Sequence, residues 1–179
     1  MLERFHVPGD EAVHVNKDDM HATVVDIFLK MGMPPDEAEV ASDVLVYADI
    51  RGIETHGVSN MLRSYVKSFG EGGINPTPNP KIVREMPAAA TLDCDGGHGL
   101  VVGPMAMEMA IERAKVYGIG TITANNGRHF GAAAYHAAMA IDHDMIGLAM
   151  TSGGMSVVPV DGSKPMFGLN PIAIAIPTR

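Results

Sequence analysis

Tryptophan is absent from this 179-residue sequence, cysteine occurs once, and aromatic residues make up only 5%. A lone Cys94 leaves no internal disulfide framework. No apolar run approaches the ~18 residues that a membrane-spanning helix requires. The first residues, Met1-Leu2-Glu3-Arg4-Phe5-His6, contain no apolar core of the kind a signal peptide carries. These features predict a cytoplasmic protein without a membrane span. Positive charge is scarce as well: Lys+Arg number 13 against 21 Asp+Glu, for a formal net charge of −8. Residues 1–60 carry all of that excess, with 4 basic and 12 acidic side chains, whereas residues 61–179 hold 9 of each. With no basic face to meet phosphates, nucleic-acid binding is not expected. Neither G-x-S-x-G nor H-E-x-x-H occurs, which removes the main support for a nucleophile-elbow hydrolase and for a helix-borne zinc site. No internal repeat is visible. The 14 methionines fit the gap-filling role of that side chain in cores.

Hydrophobic residues at 46% and charged residues at 19% are sufficient for a packed core. The first third has helical periodicity. Asn16 is placed to cap a helix from Lys17, whose stripe is Met20, Val24, Ile27, Phe28 and Met31. Gly32 and Pro34-Pro35 end it. A second helix is expected from about Asp36, with Ala41, Val44, Leu45 and Ala48 as its stripe. A third, from about Ser59 to Phe69, buries Met61, Leu62, Tyr65, Val66 and Phe69. Pro76, Pro78 and Pro80 then force an extended segment, where a domain boundary is expected: residues 1–75 helical, residues 76–179 an α/β region. Short strands are expected at Lys81–Arg84, Ala90–Asp93, Ile119–Ala124, Met145–Thr151 and Ile172–Ile176. Helices are expected from Pro104 to Tyr117 and from Gly131 to Asp142. Such alternation argues for an α/β layer architecture. Ile172 to Ile176 is apolar on both faces and predicts a strand covered on both sides. Its position at the C-terminus leads us to expect an incomplete chain.

Four stretches have the composition of functional sites. Gly97-x-Gly99-x-x-x-Gly103, between a strand and a helix, approaches the dinucleotide fingerprint, but is one residue too long and is followed by no ribose-binding carboxylate. A glycine-rich packing turn is the plainer reading. His129, His136 and His143 recur every seven residues, about two helical turns, and read as structural histidines or as ligands of a metal-dependent hydrolase or lyase. His6, His14 and His21 look like surface residues. The segment Asp49 to Val58 concentrates a hydroxyl, an imidazole and charged groups in a glycine-flanked turn between helices. An imidazole titrating near ~6.5 can exchange a proton there, with a neighbouring hydroxyl fixing its tautomer. A capped helix–helix turn would have the same composition. Asn125 to Gly131, after a strand and before a helix, is either an anion-receiving turn or an ordinary capped one.

Taken together, Arg51-Gly52-Ile53-Glu54-Thr55-His56-Gly57-Val58 resembles the R-G-x-x-[ST]-H-G-V signature of the malate/L-lactate dehydrogenase family of NAD(P)-dependent oxidoreductases. That family is distinct from the Rossmann-type enzymes of similar name. Asn125 to Gly131 is similar to its N-[SG]-x-H-F-G loop. Pro159 to Gly162 and Phe167 to Pro177 resemble its P-x-G-G and F-G-T-N-P-x-A-x-A-x-P segments. The resemblance implies a helical N-terminal region followed by a mixed, mostly antiparallel sheet domain with helices, replacing a parallel sheet. It also implies hydride transfer between NAD or NADP and a small 2-oxo or 2-hydroxy acid, a homodimer, and members considerably longer than this chain. His56 is then the acid/base, oriented by Thr55, with His129 as the rival proton donor. His129, Phe130, Gly131, Ala132, Ala133 and Ser152 would line the cofactor, and no metal is implied.

Departures from the family pattern fall at the substrate end. Asn60 stands where an arginine often clamps the substrate carboxylate, and a neutral amide cannot form that bidentate charged pair. Arg63, one turn on, is the candidate substitute. Leu169 replaces the threonine of F-G-T-N-P, removing a hydroxyl near the substrate. The aspartate expected to support the catalytic histidine would fall beyond Arg179. The competing expectation is a non-catalytic fragment or assembly module that needs a partner chain for the missing half.

Overall fold

The structure is a computed structural model that describes residues 13–178. His6 therefore lies outside the described residues. Helices α1 (Lys17–Lys30), α2 (Pro35–Ile50) and α3 (Val58–Gly70) come first, with a single 3₁₀ turn, Glu54–His56, between α2 and α3. They are followed by β1 (Lys81–Met86), β2 (Ala89–Asp93), α4 (Gly99–Tyr117), β3 (Thr121–Asn125) and α5 (Ala133–Ala138). A second 3₁₀ turn (Ile141–His143), β4 (Gly147–Met150) and β5 (Ile172–Ala175) complete the order.

The helical region follows its local chemistry. Asn16 Oδ1 accepts from the Asp18 and Asp19 amides at 2.8 and 3.2 Å, and Gly32 takes φ +90 directly after the helix. Pro35 occupies the first turn of α2, where its missing N–H costs nothing. Val24 and Phe28 of α1, Val44 and Leu45 of α2, and Tyr65 of α3 form one buried cluster. Leu100 and Val101 of α4 belong to the same cluster, so the helical core runs across the proline-rich segment. Full burial of a side chain such as Phe28, Leu45 or Leu100 stabilises by about 1.5–3 kcal/mol. Of the expected α3 stripe only Tyr65 is fully buried; Met61, Leu62 and Phe69 pack half-buried against the cluster.

Two sheets follow. β1 pairs antiparallel with β2, and β2 pairs parallel with β3 from Ala89↔Thr121 to Asp93↔Asn125, so α4 is the crossover of a βαβ unit. β4 and β5 form an antiparallel pair from Gly147↔Ala175 to Met150↔Ile172. The sheets are therefore mixed, with antiparallel pairing in the majority, as the family resemblance implies.

Three expectations need correction. α4 begins at Gly99 rather than Pro104, because His98 serves as its N-cap. Pro104 sits inside the helix and removes the N–H that the Leu100 carbonyl would accept. The expected helix from Gly131 to Asp142 runs only from Ala133 to Ala138. Its hydrogen bonds then tighten to i→i−3, from Met139 to His136 and from Ala140 to Ala137, and Asp144 reverses the chain at φ +56. Finally, β5 is not covered on both faces: Ile172 and Ile174 are 66% and 63% exposed, with only Ala173 and Ala175 turned inward.

Candidate active site

The turn from Asp49 to Asn60 is tied down by its own polar groups. The Ile53 amide donates to the Ala48 carbonyl at 2.8 Å, and Gly52 adopts φ +69. Asp49 Oδ2 then accepts from the Val58 amide at 2.8 Å, so a carboxylate from the end of α2 caps the start of α3. A Cβ on Gly57 would run into that carboxylate, which is why glycine stands beside His56. Burial raises the Asp49 carboxyl above its ordinary range, the Val58 bond opposes the shift, and the nearby Glu54 charge adds to it. Asn60, the expected substrate position, donates its amide to the Glu54 carbonyl at 2.7 Å and so closes the turn. Thr55 Oγ1 lies 2.9 Å from His56 Nδ1. Arg63 is exposed on α3.

The Asn125–Gly131 loop brings His129 to the same place. The imidazoles of His56 and His129 stack with centroids 5.5 Å apart and planes 19° from parallel. Tyr65 Oη is 2.7 Å from His129 Nδ1, and the Gly131 amide approaches the same nitrogen at 3.3 Å. Burial of the ring and the neighbouring His56 both lower the His129 pKa. Behind this pair, His98 is enclosed by Tyr65 (centroids 4.3 Å), Phe69 (5.6 Å) and Phe28 (5.9 Å). Its Nδ1 accepts from the Leu100 amide at 3.2 Å, which leaves the proton on Nε2. Burial, then the proximity of His129, lowers its pKa to about 3. Sequence reasoning placed Tyr65 only in a core stripe and His98 only in a glycine-rich turn. Neither residue carries a spacing signal that would link it to His129.

The glycine-rich run is a packing device. A Cβ on Gly103 would meet the His136 ring at 2.6 Å, and one on Gly97 would meet Pro78 Cγ at 2.8 Å. On Gly99 it would strike the backbone of Arg128 and His129. Neighbouring chain segments therefore fill the space that a side chain at these positions would need. The heptad-spaced histidines diverge in their surroundings. His136 is buried, stacks on Phe130 at 4.7 Å and bonds the Phe130 carbonyl through Nε2 at 2.7 Å, whereas His143 lies exposed in the second 3₁₀ turn. Among the described residues no cluster of three or more His, Cys, Asp or Glu side chains is placed to hold a metal ion. His14 is exposed, and half-buried His21 faces Asp43 at 3.0 Å.

A groove of about 1,170 Å³ runs between α4, β3 and β4. Phe130 and Ser152 are on its wall, together with Asn125, His136 and Thr151. Gly131 and Ala132 are buried, and Gly131, at φ +73, packs under Leu100 and Val44 and shapes the loop. Ala133 is half-buried at the first turn of α5. Leu169 is exposed, and its carbonyl accepts from the Gly153 amide at 2.7 Å, which brings it close to Ser152. No helix among the described residues is long and apolar enough to cross a membrane.

A family model for malate/L-lactate dehydrogenase matches residues 15–179. A malate dehydrogenase of Pyrococcus abyssi is 44% identical over 179 residues, covering 100% of this chain and 49% of the relative. An L-sulfolactate dehydrogenase of Methanocaldococcus jannaschii is 41% identical over 152 residues, covering 85% of this chain and 44% of the relative. The solved structure of malate dehydrogenase from Pyrococcus horikoshii superposes with a TM-score of 0.92 at 41% identity, covering 97% of this chain and 49% of that one. The chain thus spans about half the length of the curated relatives it matches.

Proposed function

Because this chain belongs to the malate/L-lactate dehydrogenase family, we propose that it carries the proton-transfer half of a 2-hydroxyacid dehydrogenase. Its substrate would be a small 2-oxo or 2-hydroxy acid and its cofactor NAD or NADP. The observation that carries the reading is the stacked pair of His56 and His129, drawn from two separate loops. The reading includes a homodimer in the cytoplasm, with residues 1–75 as the helical domain and 76–179 as part of the cofactor domain.

At about 1,170 Å³ the groove exceeds the ~300–1,000 Å³ typical of small-molecule sites, which leaves room for a ligand as long as a dinucleotide. Phe130 and Ser152 would hold the cofactor, with Thr151 at the edge. When bound, the cofactor supplies the hydride that adds to the carbonyl carbon of the acid. The chain's own residues manage the charge that then develops on the carbonyl oxygen. Thr55 engages His56 Nδ1, leaving Nε2 as the atom that delivers the proton to that oxygen. After delivery, His56 keeps its Nδ1 proton directed at Thr55 Oγ1. His129 and Phe130, adjacent in the chain, connect the imidazole pair to the groove.

Loss of reduced-nicotinamide absorbance with oxaloacetate, pyruvate or a related keto acid tests the reading. His56→Ala should abolish turnover and leave cofactor binding intact, and retained turnover would remove His56 from the proton role. A non-catalytic module remains the second reading, supported by the partial coverage of the relatives alone. Cofactor-independent assembly with a partner chain would favour it.

A further inference from the structure

We propose that Tyr65 is a positioning residue that holds His129 in its Nε2–H tautomer, so that His129 offers a neutral hydrogen-bond donor and His56 alone exchanges a proton. The second half of this statement rests on the dehydrogenase reading; the first half does not.

The argument begins with the Gly131 amide, which can only donate. It points at His129 Nδ1 from 3.3 Å, a long contact that favours a lone pair on that nitrogen without holding it there alone. Tyr65 Oη sits at 2.7 Å from the same atom. A proton on Nδ1 would lie on the fixed ring axis and oppose the Gly131 N–H, whereas the single Nδ1 lone pair can take the short Tyr65 bond with the longer Gly131 contact beside it. The phenol keeps its proton for this purpose, because burial pushes its pKa well above the ordinary tyrosine value. Its ring is 3% exposed and braced edge-on by His98. With Nδ1 occupied, the His129 proton resides on Nε2.

The groups facing His129 agree with a neutral ring. His56 approaches from the 3₁₀ turn, Tyr65 from α3, and His98 from the start of α4. His98 is uncharged, with its Nδ1 lone pair on Leu100. The neighbouring Arg128 guanidinium is turned away, its Nε donating to the Gly73 carbonyl at 2.6 Å. Two stacked imidazoles 5.5 Å apart cannot both be charged cheaply. The fixed lone pair on one of them decides which stays neutral. His56 Nδ1 meets the Thr55 hydroxyl, which can donate or accept, so this contact imposes no fixed lone pair on His56.

Long-range ¹H–¹⁵N spectra of the histidine-labelled 179-residue protein read the tautomer directly. In the parent protein, His129 should show an acceptor-type Nδ1 and a protonated Nε2. In Tyr65→Phe, which keeps the ring and its packing, the Nδ1 resonance should move toward the average of two exchanging tautomers. His143, exposed and distant in the chain, should not move in either protein, which serves as the check that the fold is kept. A protonated His129 Nδ1 in the parent, or an unmoved His129 resonance in Tyr65→Phe, overturns the assignment whatever the protein is found to reduce. In the turnover assay, Tyr65→Phe should raise the keto-acid KM more than it lowers kcat, because the donor is misdirected while the proton carrier remains. An equal loss confined to kcat would overturn the division of roles between His129 and His56. Absence of turnover in the parent protein counts against the dehydrogenase reading and leaves the tautomer result standing.

Discussion

Acidification should destabilise this fold steeply, and His98 is the main identifiable cause. Its imidazole is buried beneath Phe28, Tyr65 and Phe69, and its pKa falls from 6.5 to about 3. Between those two values the unfolded chain binds a proton that the folded chain refuses, so stability is complete above pH 6.5 and is lost as pH falls toward 3. Each pH unit in that window is worth about 1.4 kcal/mol, so a drop to about pH 5 removes about 2 kcal/mol through this residue. Against a typical total of roughly 5–15 kcal/mol, that is a large share. The assay is urea denaturation followed by circular dichroism at neutral pH and at about pH 5, on the parent and on His98→Asn. Asparagine can still accept from the Leu100 amide as an N-cap, but it has no proton to gain. At neutral pH the variant should be less stable by about 2 kcal/mol, from lost ring packing. On acidification it should lose less stability than the parent by about 1.4 kcal/mol per pH unit. His129 and His136, whose pKa values are also lowered by burial, contribute to the slope in both proteins, so the difference reports His98 together with its coupling to His129. Parallel losses in parent and variant would refute the reasoning.

Other substitutions probe the two loops. Gly57→Ala should displace the Asp49 carboxylate from the Val58 amide and cost about 1–2 kcal/mol by thermal melting, whereas Asp49→Asn, which keeps an acceptor oxygen, should lose much less. Gly131→Ala combines a left-handed φ of +73 with a Cβ only 2.6 Å from Leu100 Cδ2. A loss of about 2 kcal/mol or more in urea is expected. Cofactor bound in the groove at about 100 times its Kd should stabilise the parent by about 2.7 kcal/mol. Ser152→Trp, at an exposed wall position, should abolish that shift and leave the melting temperature without cofactor nearly unchanged.

The helical region was readable in the sequence because its signals are local. Asn16, Gly32 and Pro34-Pro35 act within a turn or two of where they stand, and each marks the boundary that the structure shows. Around Gly99 the same reading fails for a non-local reason. His98 caps the helix there, and residues 128 and 129 lie across its first position, where glycine is the residue that lets them pass. Nothing in a window of ten residues reveals that crossing. The early end of α5 is similar: β4 runs close beneath Ala137 at Gly147, where a side chain would have no room. At the candidate site, Thr55, His56 and His129 were legible as polar residues in glycine-flanked turns. Tyr65 was not, because its apolar ring satisfies the core stripe and its hydroxyl leaves no trace in periodicity. Asn60 was only half legible, for the complementary reason. Its place in a motif pointed outward to a ligand, and its amide is used inward, on the Glu54 carbonyl.

The bond between the Asp49 carboxylate and the Val58 amide joins the last turn of one helix to the first of the next, over the top of the segment that bears His56. That imidazole thus inherits its location from how two rods lean on each other and owes little to the loop between them. Substitutions deep in the α2–α3 seam will therefore displace the His56 ring, and on the proposed reading lower turnover, before they register as unfolding.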